Sequence, residues 1–298
     1  GQLPEFDVYL GPDYWDTVIF NSSSRPVSME IIHVLTSDYI HVCLINAGRG
    51  TPFISALELR LLAGNMYKET DFGSLYLFGR LNFGNTYGTV RYKADKYDRR
   101  WFPVTWPNST SLHTFDEIYT GFFSTIDPPD QVMRDAITPK YPNDSFVIKW
   151  ASINKTDKFF TYMHFAEIET LEKNQTREFN IYMNGNLSFG PFSPYNRTTA
   201  TVYSTEPDTV APTYTLTLNK TKNSTLPPII NALELYTLKY LPQRHTDDQD
   251  TSALLKVKST YKTNKNNWQG DPCIPREFVW DGIGCSYNDT DSPRIVLL

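Results

Sequence analysis

The chain has 298 residues, a formal net charge of −5 and a pI near 5.6, which excludes the concentrated basic face that nucleic-acid binding requires. Apolar residues make up 40% and charged residues 20%, enough to bury sizeable cores in two domains plus an appendage and unlike a disordered chain. No apolar run approaches the roughly 18 residues of a membrane span and no signal-peptide pattern opens the chain, so a membrane anchor is expected outside this segment.

With 19 Tyr and 18 Phe, and short runs of Val and Thr, the composition favours strands. Taken in chain order, the predicted strands are Glu5–Leu10, Tyr39–Ile45, Leu75–Phe78, Phe146–Trp150, Phe159–Phe165, Phe179–Met183, Tyr214–Leu218 and Leu233–Leu238. Turn residues separate them: Gly11-Pro12, Asp127-Pro128-Pro129, Asn184-Gly185, Gly190-Pro191. No stretch before residue 240 keeps a helical apolar period for three turns, so the class is all-β, with antiparallel sandwich or jelly-roll lobes. After Tyr240 a polar linker, Pro242 to Asp250, leads into a predicted helix capped by Asp250 or Thr251, with Leu254, Val257, Lys258 and Tyr261 at helical spacing. The acidic run Asp247-Asp248-Gln249-Asp250 lacks the glycine and terminal glutamate of a calcium loop, and reads as linker and cap. The last piece runs from Trp268 through Cys273, Trp280 and Cys285 to the apolar strand Pro293–Leu298.

Two phrases occur twice in the same order. Glu5-Phe6-Asp7-Val8-Tyr9-Leu10 returns as Glu178-Phe179-Asn180-Ile181-Tyr182-Met183, and Pro52–Leu59 returns as Pro228–Leu235, at offsets of 173 and 176 residues. The chain is a tandem duplication. The copies are unequal: about a hundred residues belong to copy two ahead of Glu178, and only four precede Glu5. The domains read as 1–64, the C-terminal part of a first lobe; 65–240, a second lobe; 241–266, linker and helix; and 267–298, a small capping module. Residues 1–64 are expected to be an incomplete lobe, packing on lobe two or pairing with an upstream segment outside this chain.

Asn-x-Ser/Thr triplets stand at Asn21, Asn108, Asn143, Asn154, Asn174, Asn186, Asn196, Asn219, Asn223 and Asn288, half of the asparagines in the chain. Random placement would give roughly three, so the excess points to N-glycosylation and a secreted or cell-surface location. Cys273 and Cys285 lie in a segment punctuated by Gly and Pro that a disulfide would staple, whereas a zinc site would need further ligands. Cys43 is left over, either as a buried thiol in a core strand or, the preferred reading, with its partner in the missing front half of copy one.

The helix Ser252–Lys258, the phrase Trp268-Gln269-Gly270-Asp271-Pro272-Cys273 and the segment Trp280–Cys285 together resemble the N-terminal cap of plant leucine-rich repeats. Pro52–Leu62, Tyr97-Asp98-Arg99-Arg100-Trp101, Tyr162–Ile168, Thr176–Gly185 and Ser224–Tyr236 resemble the malectin-like ectodomain of plant receptor-like kinases. The resemblance covers essentially the whole chain. It implies two malectin-like β-sandwich lobes in tandem, the first lacking its front half, followed by the repeat cap. It also implies the ligand- or partner-recognising part of a single-pass plasma-membrane receptor, signalling in immunity or symbiosis through a Ser/Thr kinase outside this chain. The implied partners are a secreted peptide, a co-receptor kinase or cell-wall carbohydrate, because animal malectin binds a glucose disaccharide through aromatic and acidic loop residues. The alternatives are a lectin-like module for cell-wall oligosaccharides and a glycosylated structural spacer.

No catalytic signature accompanies this resemblance, so an enzyme is not expected, nor a cofactor or a metal. The five histidines (His33, His41, His113, His164, His245) are scattered. His164 and Glu167 read as a hydrogen-bonded structural pair. Asp95, Asp98 and Asp116 are the residue type of glycosidase carboxylates, but Asp98 beside Arg99 and Arg100 reads as a paired structural group. The ligand-facing aromatics are not identifiable from sequence.

Overall fold

The structure, a computed structural model, describes residues 3–35, 39–64, 66–68, 73–241, 244–262, 267–288 and 291–298. Of the expected linker and helix, Pro242, Gln243 and residues 263–266 lie outside the described residues, as does Thr290 of the last glycosylation triplet. The described strands are β1 (Glu5–Leu10), β2 (Asp13–Ile19), β3 (Ile31–Ile32), β4 (Val42–Arg49), β5 (Ser74–Phe83), β6 (Phe102–Val104), β7 (Ser109–His113), β8 (Asp135–Pro139), β9 (Phe146–Ala151), β10 (Phe159–Phe165), β11 (Phe179–Met183), β12 (Asn186–Phe192), β13 (Ala200–Tyr203), β14 (Thr213–Lys220), β15 (Ala232–Lys239), β16 (Gly284–Ser286) and β17 (Arg294–Leu297). Among the described residues helices are few: the single turn α1 (Asp130–Met133), α2 (Asp248–Tyr261) and a 3-10 turn at Arg276–Phe278. The fold is all-β.

The chain divides into two compact units, Glu30–His33 with Glu58–Lys239, and Gly1–Met29 with Val34–Leu57 and Tyr240–Leu298. The segment 1–64 is therefore split. Ile31 and Ile32 pair with Leu75 and Tyr76 of β5, and residues from Glu58 onward also belong to the larger unit.

The larger unit is a sandwich. One sheet runs β13-β10-β15-β5-β3, with β6 beside β5, and the other runs β12-β11-β14-β9. Between them, Met163, Phe165, Leu233 and Leu235 of the first sheet meet Phe146, Ile148, Phe179, Ile181, Leu216 and Leu218 of the second in one buried cluster. The alternation along β9 places Phe146, Ile148 and Trp150 inward, as the two-residue strand period requires. β10 is buried along its whole length because its outer face is covered too. There Phe160 and Tyr162 pack with Met66, Tyr67, Leu75, Ile126 and Tyr236. The uninterrupted aromatic run of β10 is thus the pattern of a strand covered on both faces. Asn184 and Gly185, at φ 51° and 83°, close the β11–β12 hairpin, where two positive φ values match the twist of the strands.

The smaller unit repeats half of this design. Its sheet, β2-β1-β4, has the order of β12-β11-β14, with β1 antiparallel to both neighbours as β11 is. Phe6, Val8 and Leu10 alternate inward along β1. The second duplicated phrase behaves differently. Pro228–Leu235 leads into β15, hydrogen-bonded between β10 and β5, but residues 52–59 form no strand. Leu59 and Leu61, in the larger unit, are 71% and 96% exposed. In copy two the neighbours of β15 precede β11, and among the described residues the 52–61 segment has no such pair. Burying each leucine would be worth roughly 1.5–3 kcal/mol, which nothing described here supplies. Among the described residues, the segment 1–64 accordingly forms no closed sandwich. β4 begins at Val42 rather than at Tyr39, and Cys43 within it is a half-buried free thiol. Burial and then the Asp271 carboxylate push its pKa up, which keeps it protonated and slow in exchange. A Cβ at Gly270 would meet its sulfur at 3.4 Å, and Gly270 has φ +70°.

The same unit holds the capping module. α2 starts earlier than expected: Asp247 is the N-cap, accepting from the N–H groups of Gln249 (3.0 Å) and Asp250 (3.2 Å). Asp250 instead accepts from Arg294 (2.7 and 2.9 Å) and from the Ile295 N–H (2.8 Å), tying the helix to β17. Leu254 is the buried helix residue, packed with Trp268, Trp280 and Ile283, whereas Tyr261 is exposed and contributes nothing to this core. Trp268 and Trp280 stack at 5.1 Å, with Lys258 Nζ 5.2 Å from the Trp280 ring. Cys273 and Cys285 are disulfide-bonded, their Cα atoms 5.9 Å apart.

Asp271 organises the turn that carries Cys273. It accepts from the Thr246 N–H (2.8 Å) and hydroxyl and from the N–H groups of Cys273 (2.9 Å) and Ile274 (3.0 Å). Burial raises its pKa, but the neighbouring His245 and the bonds from Thr246 and Cys273 outweigh burial and hold it below the usual carboxylate range. A depressed folded pKa stabilises the module above the unfolded value of about 3.9, and that stabilisation is lost as pH falls through the folded value. Asp271→Asn is therefore expected to destabilise the module at neutral pH and to abolish this acid limb. Denaturant melts followed by tryptophan fluorescence from neutral to strongly acid pH measure it; parallel pH profiles for the two proteins would contradict it.

Candidate functional site

The loop between β7 and α1 carries the exposed aromatic surface of the larger unit. Phe115, Tyr119, Phe122 and Phe123 all point into solvent, Phe115 by 89% and Phe122 by 76%. Phe123 stacks on Tyr195 at 4.9 Å, and Phe122 packs edge-on against Phe123 at 4.8 Å. Behind this edge is a cleft of about 310 Å³ lined by Tyr67, Lys68, Phe122, Phe123 and Tyr203 together with the loop backbone. Its volume is at the low end for ligand sites and suits one or two side chains.

The tip is exposed but the base is clamped. Arg99 donates to the carbonyls of Ile126 (2.7 Å) and Asp127 (2.8 Å), and the Gly121 N–H donates to Asp127 Oδ2 (3.0 Å). Tyr119 exchanges backbone bonds with Arg197 (2.8 Å) and Thr199 (2.9 Å). A clamped aromatic edge of this kind loses less entropy on any contact than a mobile one would.

Arg99 belongs to a buried ionic cluster on the outer face of the six-stranded sheet. Glu234 of β15 lies opposite Arg80 of β5 in register and accepts from Arg80 Nε at 2.8 Å. It also accepts from Tyr236 (2.6 Å) and Tyr67 (3.0 Å), and His164 Nε2 lies 3.3 Å away. Arg80 reaches Glu30 as well (2.6 Å), and Arg99 Nε donates to Asp95 (2.8 Å), which also accepts from the Trp101 indole (2.8 Å). Burial alone would raise the Glu234 pKa; Arg80, His164 and Arg99 override it and hold the carboxyl far below its ordinary range. Burial, with the Glu234 charge adding to it, pushes the Tyr67 phenol up to about 12.

The residues singled out from sequence are placed apart. His164 does not pair with Glu167: it faces Thr201 and Glu234, while Glu167 accepts from Arg177 at 2.6 Å. In β10 the side chain of His164 faces the covered outer layer, and Glu167 lies past the strand end, so three residues of separation do not bring them together. Asp98 is held by Arg91 and Arg60, each at 2.6 Å, rather than by its sequence neighbours Arg99 and Arg100. Its φ of +56° turns the chain so that those neighbours point elsewhere. Asp116 pairs with Arg197 at 2.5 Å. Asp95 is thus engaged by Arg99, Asp98 by Arg91 and Arg60, and Asp116 by Arg197, so the three carboxylates sit in separate ion pairs and not as a pair facing one site. Among the described residues no group of three or more His, Cys, Asp or Glu is arranged to hold a metal.

All ten triplet asparagines are exposed, whereas of the seven other described asparagines only Asn46 and Asn267 are. Glycan acceptors must face solvent, so this contrast fits their use. From a eukaryotic host the protein is expected to drop by several kilodaltons on treatment with an N-glycan-stripping glycosidase; unchanged mass would contradict glycosylation. The aromatic edge itself was not legible from sequence. Its one signal was Phe122-Phe123 between turn residues, outside any alternating strand, in a chain where most aromatics fill cores.

Comparison with known proteins fits these features. The malectin-like domain family matches residues 1–238. The LRR receptor-like serine/threonine-protein kinase IOS1 of Arabidopsis thaliana is 40% identical over 298 residues, covering 99% of this chain and 33% of that protein. A putative leucine-rich repeat receptor-like protein kinase of the same plant is 42% identical over 298 residues, covering 99% and 34%. The chain thus spans about a third of the length of these relatives. Among solved structures, the complex of the plant peptide RALF23 with FER and LLG2 superposes with a TM-score of 0.53 at 16% identity, over 79% of this chain and 74% of that one. The plant receptor-like kinase FER alone gives 0.52 at 13%, over 80% and 73%. The chain belongs to the malectin-like domain family, and it is similar to one third of the length of plant leucine-rich-repeat receptor-like kinases.

Proposed function

We propose that this chain is the extracellular recognition region of a plasma-membrane receptor kinase, whose membrane span and kinase lie outside these residues, and that the Phe122–Phe123 edge contacts a secreted peptide or a partner receptor. The observation carrying this reading is an exposed aromatic loop on a base clamped by Arg99, an arrangement that gives large contact area at low entropic cost. The relatives are receptor-like kinases, and one structural neighbour of the same fold is held in a complex with a peptide. The exposed glycosylation triplets agree with an extracellular face. Among the described residues no helix is long and apolar enough to cross a membrane.

Carbohydrate recognition is the second reading, favoured by the Phe123–Tyr195 stack, whose face suits the C–H surface of a sugar. Titrating the glycosylated protein against fractionated secreted peptides, against candidate receptor ectodomains and against cell-wall oligosaccharides separates the readings. A double Phe122→Ala, Phe123→Ala variant is expected to weaken the productive interaction at least about tenfold, the loss of one hot spot. Binding unaffected by that variant would move the contact elsewhere, and no binding in any arm would favour a spacer.

A further inference from the structure

Resting on the reading of the Phe122–Phe123 edge as a contact surface, we propose that its loop is latched by one proton shared between Asp127 and His164 across the hydroxyl of Thr201, so that the edge is ordered within a window of pH and loosened on both sides of it. A continuous chain of contacts carries this. The Gly121 N–H donates to Asp127 Oδ2 (3.0 Å), Thr201 Oγ1 lies 2.7 Å from Asp127 Oδ1, His164 Nδ1 lies 2.8 Å from the same Oγ1, and His164 Nε2 lies 3.3 Å from Glu234 Oε1. His164 and Glu234 are fully buried, and Asp127 is nearly so.

Counting hydrogens shows why one proton is shared. Glu234, ionised among Arg80 and Arg99, only accepts, so His164 Nε2 must carry a hydrogen. Thr201 has a single hydroxyl hydrogen and two neighbours. If Asp127 is ionised, the hydroxyl donates to it and His164 Nδ1 must be protonated to donate in turn. If Asp127 carries the proton, it donates to Thr201, which then donates to a bare Nδ1. Both arrangements satisfy every group with the same proton count.

Removing that proton at higher pH leaves two acceptors and one hydroxyl hydrogen, so one buried acceptor goes without a partner. Adding a second at lower pH neutralises Asp127 while His164 stays protonated. Thr201 then receives two donors and its own hydroxyl hydrogen has no acceptor in the chain of contacts, so the link from Asp127 to His164 is no longer satisfied. The surrounding groups constrain the chain without replacing it. Arg99 and Arg80 remain charged and Tyr67 and Tyr236 remain protonated; Glu30 and Asp95 are ion-paired to Arg80 and Arg99, and Asp208, 3.3 Å from Thr161, lies on the opposite face of β10. Burial pushes the Asp127 pKa up against the opposing bonds from Thr201 and Gly121, consistent with a carboxyl able to hold the proton. Arg99 clamps residues 126 and 127 at any such pH, so the window acts on the segment beyond them that carries the aromatics.

Hydrogen exchange of the peptide spanning 119–126 tests this on the intact chain, from about pH 4 to about pH 8 after correction for intrinsic rates. The expected result is a protection maximum, with exchange about tenfold faster at either side, the effect of one hydrogen bond of about 1.4 kcal/mol. Thr201→Val is expected to give fast, pH-flat exchange, and Thr201→Ser to restore the maximum. Nitrogen-15 shifts of the His164 ring, assigned with His164→Gln, supply a readout that does not depend on the valine variant folding: Nδ1 should lose its proton as protection falls on the alkaline side. A flat profile in the parent protein, or an unchanged maximum in Thr201→Val, overturns the latch. Phe122→Ala separates the two ideas, since lost binding with an intact exchange maximum supports both, while retained binding with that maximum removes only the contact reading.

Discussion

Replacing Glu234 by alanine is expected to destabilise the larger unit by about 3–5 kcal/mol, because it leaves Arg80 and Arg99 buried with their central counter-charge gone. Arg80 and Glu234 are both fully buried and 2.8 Å apart, so solvent neither screens the pair nor replaces it when broken. Glu30 remains for Arg80 and Asp95 for Arg99, which limits the loss but does not restore the bonds from Tyr67 and Tyr236. Glu234→Gln keeps the size and some acceptors while removing the charge, and should fall between. The pH dependence has a definite sign. The folded pKa of Glu234 is depressed, so its stabilisation is present above the unfolded value of about 4.3 and is lost as pH falls through the folded value. The gap between parent and variant should therefore be constant near neutrality and close only in strong acid. Calorimetry of the transition belonging to the larger unit measures it, and a loss under about 1 kcal/mol would show that water or neighbours replace the carboxylate.

The second large effect is expected at the disulfide. Cys273→Ser with Cys285→Ser removes a bridge of sequence separation 12, for which chain entropy alone gives about 3 kcal/mol within a usual range of about 2–5 kcal/mol. The module has a small apolar cluster of Leu254, Trp268, Trp280 and Ile283, so a loss of that size is a large part of what holds it. Trp268 and Trp280, stacked at 5.1 Å, provide the signal: their fluorescence should shift to the exposed form at lower denaturant in the variant. The larger unit serves as an internal control and should melt unchanged. An unaltered tryptophan transition would mean that Asp271, through Thr246 and the Cys273 turn, suffices to hold the module closed.

Much of the fold could be read along the chain because strands, hairpin turns and glycosylation triplets are written locally. β1, β10 and β11 have the bounds expected from their apolar runs, and the Asn184-Gly185 turn lies where two positive φ values are needed. The duplication was legible for the same reason: repeated phrases carry repeated strand patterns, and β2-β1-β4 does repeat the order β12-β11-β14.

Pairings across long sequence separations were decided elsewhere. Glu58 and Glu234 occupy the same place in the duplicated phrase, yet Glu234 is fully buried between arginines and Glu58 is half exposed beside Arg91 and Arg60. The difference lies in β5 and β10, which flank β15 and have no described counterparts around residues 52–61. A residue's own pattern says that it belongs in a strand; whether that strand is central, and what its outward face meets, depends on segments 70 to 167 residues away, as in His164–Glu234 and Tyr67–Glu234. The aromatic edge follows the same logic, since Phe122 and Phe123 are ordinary core residue types until Arg99 and Asp127 hold their loop outside the core. Sequence by itself determined several of the strands, the duplication, the family and the positions of the Asn-x-Ser/Thr triplets. Only the tertiary structure decided which charges are buried together and which aromatics face water, because those depend on burial and contact between distant segments, and no local period records either.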